Sequence, residues 1–170
     1  MTLRYSAIST IVGVVYVAYN SAGVSLVAAL AESDFIQSCS SLRGETPRRN
    51  KSPPGEIGGL INDSITGARL VTLGKLDLRG LTPFQQEAIS KLQQIPRGQV
   101  RTYGWMAASI GHKGASRAIG TAMALNPYPL LLPCYRVIRA DGSPGHYSGG
   151  PPGFKTRLLK LEGVDFTSRI

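Results

Sequence analysis

Between Thr82 and Pro127 the chain writes three helices in succession, and the junction of the last two leaves few folds open. Thr82-Pro83-Phe84-Gln85 sets a capping threonine before a proline at the first helical position, with glutamine at the capping-box position. Phe84, Ala88, Leu92 and Ile95 then recur at helical spacing and give one apolar face, which Pro96-Arg97-Gly98 ends. Thr102 caps a short helix through Ile110, and Gly111-His112-Lys113-Gly114 turns tightly. A third helix, Ala115 to Leu125, stops at Asn126-Pro127, because a residue before proline is pushed out of the helical region. Two short helices joined by a glycine-containing turn read as a helix-turn-helix, whose second helix enters a groove of nucleic acid. Here that helix opens with Arg117 and is lined by Ala115, Ala118, Thr121, Ala122 and Ala124, small enough for close backbone approach. The same alanine-rich texture also suits packing inside a core.

Charge agrees with a nucleic-acid face on this half. The net charge is +9, and it is uneven: residues 1–80 hold eight Lys/Arg against six Asp/Glu, residues 81–170 eleven against four. Phosphate contacts draw on such a surplus. An apolar fraction of 42% describes a globule with a core, not a disordered chain. The organisation expected is an N-terminal α/β lobe over 1–80 and a C-terminal domain over 81–170, joined at Arg79-Gly80-Leu81.

The first half is harder to read. Ile11 to Leu30 carries no charge, and Ala28-Ala29-Leu30-Ala31 has the look of a signal-peptidase site. Asn20-Ser21-Ala22-Gly23 breaks that run, however, and its Val-rich flanks, 11–18 and 24–29, are strand-length. A hairpin is expected, with a signal peptide or membrane span as the rival reading. Residues 32–60 read as a polar, solvated loop around Arg48-Arg49-Asn50-Lys51 and Ser52-Pro53-Pro54-Gly55, and 67–78 as a last strand.

Two cysteines stand in unlike settings: Cys39 in the serine-rich run 37–41, Cys134 after Leu130-Leu131-Leu132-Pro133. Reduced thiols inside the cell are expected rather than a disulfide. With two Cys and two His scattered along the chain, no zinc-ligand spacing exists, so no metal and no cofactor are expected. A cysteine behind an apolar strand and a proline is held rigidly away from water. Burial alone makes a thiol inert, so a nucleophile there needs a partner that stabilises the thiolate. Read without context, Cys134 is a small structural hydrophobe.

Context is supplied by an ordered set of short motifs: Pro83-Phe84-Gln85, Pro96-Arg97-Gly98, Thr102-Tyr103, Arg117-Ala118-Ile119-Gly120, Asn126-Pro127, Pro133-Cys134, Arg136-Val137, Gly145-His146-Tyr147-Ser148-Gly149-Gly150 and Leu161-Glu162-Gly163. Over 84–164 the chain resembles the C-terminal domain of the O6-alkylguanine-DNA alkyltransferases. The resemblance implies an α+β fold, with a strand-rich, ribonuclease-H-like N-terminal lobe and a winged helix-turn-helix domain carrying the active cysteine. It implies DNA repair by irreversible, single-turnover transfer of an alkyl group from O6-alkylguanine to Cys134, with O4-alkylthymine as a further substrate it admits. The base is flipped out first, because a stacked guanine hides its O6. The partner implied is double-stranded DNA carrying the lesion, with no membrane and a monomeric, cytoplasmic or nucleoid-associated protein (nuclear in a eukaryote).

Roles follow position by position. The catalytic set implied is Cys134, Tyr135, Glu162, Tyr103 and Asn126: acceptor, its neighbour, anchor of the proton network, proton donor to the leaving guanine, and tie between the DNA helix and the active loop. Arg117 is the finger that fills the duplex, and Ala118, Thr121, Ala122 and Arg136 join it on DNA. Met123, Pro129, Val137, Tyr147, Ser148 and Gly149 line the base pocket. One departure matters. The family typically carries histidine after the cysteine; this chain has Tyr135, and a phenol with a pKa of about 10 is a poor base at neutral pH. Three outcomes stay open: Tyr135 relays the proton to Glu162 through water, His146 stands in, or the chain binds lesions with weak or no transfer, as alkyltransferase-like proteins do. Retained transfer is preferred because Cys134 is present. A sequence-specific regulator and a secreted cysteine hydrolase are the more distant readings, the latter lacking placed His and Asn partners.

Overall fold

The computed structural model describes residues 1–69 and 71–164; the last residues of the expected 81–170 domain lie outside them. Two compact units are present, Met1–Arg79 and a second beginning at Gly80.

In the first unit the charge-free run folds as strands. β1 (Arg4–Thr10), β2 (Gly13–Asn20) and β3 (Gly23–Ala28) form an antiparallel meander, and β4 (Arg48–Arg49) adds in parallel to β1, giving the order β3-β2-β1-β4. The β2–β3 turn places Gly23 at φ 128°, beside the Lys75 carbonyl, where a Cβ would sit only 2.5 Å from that oxygen. Only glycine fits there. Tyr5, Ala18, Leu26 and Ala28 of the sheet pack on Phe35 and Cys39 of α1 (Glu32–Arg43), with Tyr16 against Phe35 at 5.5 Å between ring centroids.

Two helices replace the expected loop over 32–60, α1 and α2 (Gly55–Thr66). α1 buries only Phe35 and Cys39, one turn apart, among Glu, Asp, Gln and Ser, so its apolar stripe is too thin to read as periodicity. α2 begins directly after Pro54, and its glycines hid it. The expected strand over 67–78 is instead a 3₁₀ turn, Leu73–Lys75, with a single parallel bridge between Val24 and Leu76. Asp77 fastens that turn. Its buried carboxylate accepts from Asn20, Ser25 and both Nε and Nη2 of Arg79, and Arg43 lies at 3.8 Å.

The second unit follows its cap signals closely. In α3 (Pro83–Lys91) the Thr82 hydroxyl accepts from Gln85 N and the Gln85 side chain accepts from Thr82 N. The helix tightens into a 3₁₀ turn at Leu92–Gln94, earlier than Pro96 alone suggests. α4 (Tyr103–Ser109) is capped by Thr102, which accepts from Trp105 N. Gly111 and Gly114 take φ of 78° and 86° before α5 (Ser116–Ala124). A two-residue parallel pair, β5 (Arg101–Thr102) with β6 (Val137–Ile138), and α6 (Phe154–Leu161) complete the unit. Among the described residues no helix is long and apolar enough to cross a membrane.

Candidate active site and nucleic-acid interface

The run before Cys134 is a chain of turns, not the strand expected. Pro127, Pro129 and Pro133 each lack the N–H a ladder requires. Leu131 N and Leu132 N both donate to Tyr128 O. Pro133, at φ −76° and ψ 64°, centres an inverse γ-turn that brings Cys134 N to 2.7 Å from Leu132 O. Asn126 fixes this loop from beneath: its carbonyl oxygen accepts from Tyr128 N and its amide donates to Leu132 O.

Cys134 is 3% exposed and free of any disulfide, as is Cys39. Burial pushes its thiol up to about 11, while the Asn126 side chain, hydrogen-bonded to it, and the Lys155 charge pull the other way. Tyr103, raised by burial, and Tyr147, raised well above the ordinary phenol by burial, both sense the sulfur's charge. Cys134, Asn126, Tyr103, Tyr147 and Lys155 therefore belong to one electrostatic cluster. Cys39, pushed up to about 12 by burial in the sheet core, is an inert thiol.

The pair after the cysteine points elsewhere. Tyr135 Oη donates to Glu162 Oε1 at 2.7 Å, directly and with no water between. Arg136 grips the same carboxylate from Nε at 2.9 Å and Nη2 at 2.7 Å, and Gly98 N donates to Oε2. Burial favours the protonated acid, yet these donors hold the Glu162 carboxyl below its ordinary value. The buried Tyr135 phenol is raised by burial and by the Glu162 anion, against the opposing pull of Arg136.

On α5, Ile119, Ala122 and Met123 face the core, while Arg117, Ala118, Thr121, Ala124 and Leu125 lie exposed along the opposite side. The loop 145–150 is tied to the helix end, with Ser148 Oγ donating to Ala124 O at 2.8 Å and Tyr147 Oη to Pro129 O at 3.2 Å. A Cβ on Gly149 would meet Pro129 Cβ at 2.6 Å and Tyr147 Cζ at 2.7 Å, so the loop lies against Pro129 with no room for a side chain. A cavity of about 540 Å³ runs from Arg139 and His146 past Tyr147 to Lys155.

A family model described as "6-O-methylguanine DNA methyltransferase, DNA binding domain" matches residues 83–164. The chain is 48% identical over 122 residues to the methylated-DNA–protein-cysteine methyltransferase of Mycobacterium bovis, which covers 69% of this chain and 73% of that one. It is 45% identical over 120 residues to the protein of that name from Methanothermobacter thermautotrophicus, covering 68% of this chain and 66% of that one. The aligned stretch thus spans about two thirds of the archaeal relative's own length. The crystal structure of Mycobacterium tuberculosis OGT in complex with DNA matches with a TM-score of 0.75 and 31% identity, over 94% of this chain and 92% of that chain. This chain belongs to the methylated-DNA–protein-cysteine methyltransferase family.

Set against the roles the family resemblance implies, two residues are misplaced. Arg136 does not reach outward: it is 5% exposed, with Nη1 on Ile95 O and the rest of its guanidinium on Glu162. A cation buried and held by three of its N–H groups in this way is not presented to phosphate. Ala122, 3% exposed, is on the core side of α5, one position round from the outward Thr121. Ser148 spends its hydroxyl on the Ala124 carbonyl. His146 is exposed, and the side chains acting on Cys134 are Asn126 and Lys155. Lys155 was missed. Its signal was present, since it stands three and four residues before Leu158 and Leu159, on the buried stripe of α6.

Proposed function

We propose that this chain repairs alkylated DNA by moving the alkyl group of O6-alkylguanine onto Cys134, once per molecule. The observation that carries this reading is a cysteine in a proline-set turn, bound by Asn126 and sharing its unit with the outward Arg117–Ala118–Thr121 face of α5. The thiolate attacks the alkyl carbon, forming C–S as the bond to O6 breaks with its electron pair on guanine. The guanine anion takes a proton from the Tyr103 hydroxyl. A thioether is not displaced under these conditions, so turnover ends there.

DNA engages α5 through Ala118 and Thr121, whose small side chains let the helix backbone approach, while Arg117 occupies the space left by the extruded nucleotide. Met123, Pro129, Val137, Tyr147 and Gly149 bound the base pocket, and the Ser148 tether transmits the position of α5 to that loop. Glu162, saturated by Arg136, Tyr135 and Gly98, anchors the turn that carries the cysteine. The protein acts in the compartment that holds the DNA, cytoplasm or nucleoid.

Peptide mapping by mass after incubation with an O6-methylguanine duplex tests this. One methyl on the Cys134 peptide, absent from Cys134→Ala, is expected. Tight lesion binding with an unmodified Cys134 would mean a lesion sensor instead.

A further inference from the structure

Arg139 follows β6 and opens a tight turn, its N–H donating to Ser143 O and its carbonyl accepting from Gly142 N. Asp141, two residues on, spends its carboxylate on that turn: Oδ1 accepts from Ser143 N at 2.9 Å and from Ser143 Oγ at 2.7 Å. The arginine side chain does not return to the turn. It is exposed, lines the cavity that runs past Tyr147, and makes no hydrogen bond or ion pair among the described residues. Its stem is nonetheless placed. Gly145, at φ 75°, lets the arginine cross so closely that a Cβ there would lie 3.5 Å from Arg139 Cγ and 3.6 Å from Nε. The same Cβ would lie 3.3 Å from Tyr103 Oη. One glycine thus holds an uncommitted guanidinium beside the hydroxyl assigned to the leaving guanine, at the rim of the site.

A nucleotide that rotates out of a duplex carries its flanking phosphates toward the pocket, and each keeps its negative charge. A guanidinium offers five N–H donors in a planar fork that fits such a group, and charge-assisted bonds of this kind are the strong ones. We infer that Arg139 grips a phosphate of the extruded nucleotide and so holds the base in place against Cys134 and Tyr103. This rests on the alkyl-transfer reading above. Arg139 acts on the backbone of the lesion, apart from the bond that breaks. The outward row of α5 meets the duplex whether or not a base has left it, whereas Arg139 meets only the extruded nucleotide. Affinity for intact duplex and affinity for the flipped state therefore draw on different side chains. The closeness of Arg139 to Tyr103 is also felt electrostatically: burial and the Cys134 charge raise that phenol, and Arg139 pulls it back.

The test compares Arg139→Gln and Arg139→Lys with the arginine protein in two arms. In the first, a Cys134→Ala background keeps the lesion intact. Anisotropy then gives affinity for an O6-methylguanine duplex and for the unmodified duplex of the same sequence. Arg139→Gln should weaken binding of the lesion duplex about tenfold and of the unmodified duplex much less, and lower the salt slope on the lesion duplex by about one. Arg139→Lys keeps the charge and should recover most of that slope. In the second arm Cys134 is present, and peptide mapping follows its methylation by the lesion duplex and by free O6-methylguanine base, which has no phosphate. The ratio of duplex to free-base rates, below saturation, should fall about tenfold in Arg139→Gln. Equal losses on the two duplexes, an unmoved salt slope, or a lysine variant no better than glutamine would each overturn the proposal. Equal falls in the duplex and free-base rates would overturn it too, and would put the action of the guanidinium on Tyr103. If wild type takes no methyl from the lesion duplex while the binding arm keeps its lesion-specific loss, the repair reading fails and the phosphate grip survives.

Discussion

A phenol at position 135 changes where a proton can go. Its oxygen is spent on Glu162 at 2.7 Å, and its acidity is depressed by burial and by that carboxylate. It therefore holds the turn and keeps its proton. Replacing it with imidazole would put a base that titrates near neutrality at the position to which the family resemblance gives the link, through water, between glutamate and thiol. Tyr135→His should speed single-turnover transfer at pH near 7 and flatten the rise with pH, and a rate equal to wild type would count against this view of the phenol. Glu162 is the complementary case. With one carboxylate holding Arg136, Tyr135 and Gly98 N, Glu162→Gln leaves a buried guanidinium without its anion, a loss of about 3–5 kcal/mol. A drop of several degrees in the unfolding midpoint is the expected readout.

At the scale of elements, α5 divides cleanly. Its outward row can tolerate charge in the folded protein, so Thr121→Glu should leave the melting curve in place and weaken duplex binding severalfold, by setting an anion against phosphate. Ala122→Glu, on the buried row, should instead unfold the unit. Fluorescence anisotropy and thermal melts on the two variants separate these outcomes. What was legible in the sequence follows from the same division. Caps and turns in the second unit act through local chemistry, and Thr82, Gln85, Thr102, Gly111 and Gly114 carry it in the residues themselves. α1 and α2 are held by packing against a sheet, and two buried positions in twelve left α1 without a period to read. The site was legible to the extent that its motifs are contiguous. Arg136 fell outside that, because a guanidinium reaching 26 residues along the chain to Glu162 looks in sequence like a free cation. Lys155 fell outside too, a charge on the apolar stripe of a short helix.

For the whole molecule, stability and DNA affinity answer to different charges. The first unit is fastened by Asp77, whose carboxyl Arg79, Asn20 and Arg43 hold far below the ordinary range in spite of its burial. That contribution is complete above the unfolded carboxyl's pKa of about 3.9 and disappears as pH falls toward the folded value. Asp77→Asn should therefore cost roughly 3 kcal/mol at neutral pH, with the gap between variant and wild type closing in strong acid. Thermal melts across pH check it, and a gap that persists in acid would contradict the linkage. The surplus of eleven Lys/Arg over four Asp/Glu in residues 81–170 bears instead on phosphate, so duplex binding should weaken steeply with salt and depend little on sequence.

The most direct measurement follows the alkyl group itself. A duplex carrying O6-[³H]methylguanine is mixed with excess lesion over protein, and label is counted on the Cys134 peptide until it stops rising. A plateau at one label per protein molecule, with guanine restored in the DNA, is the expected result. Label that stays in the DNA, settles on another residue, or is released to solvent with continued turnover would contradict transfer to Cys134.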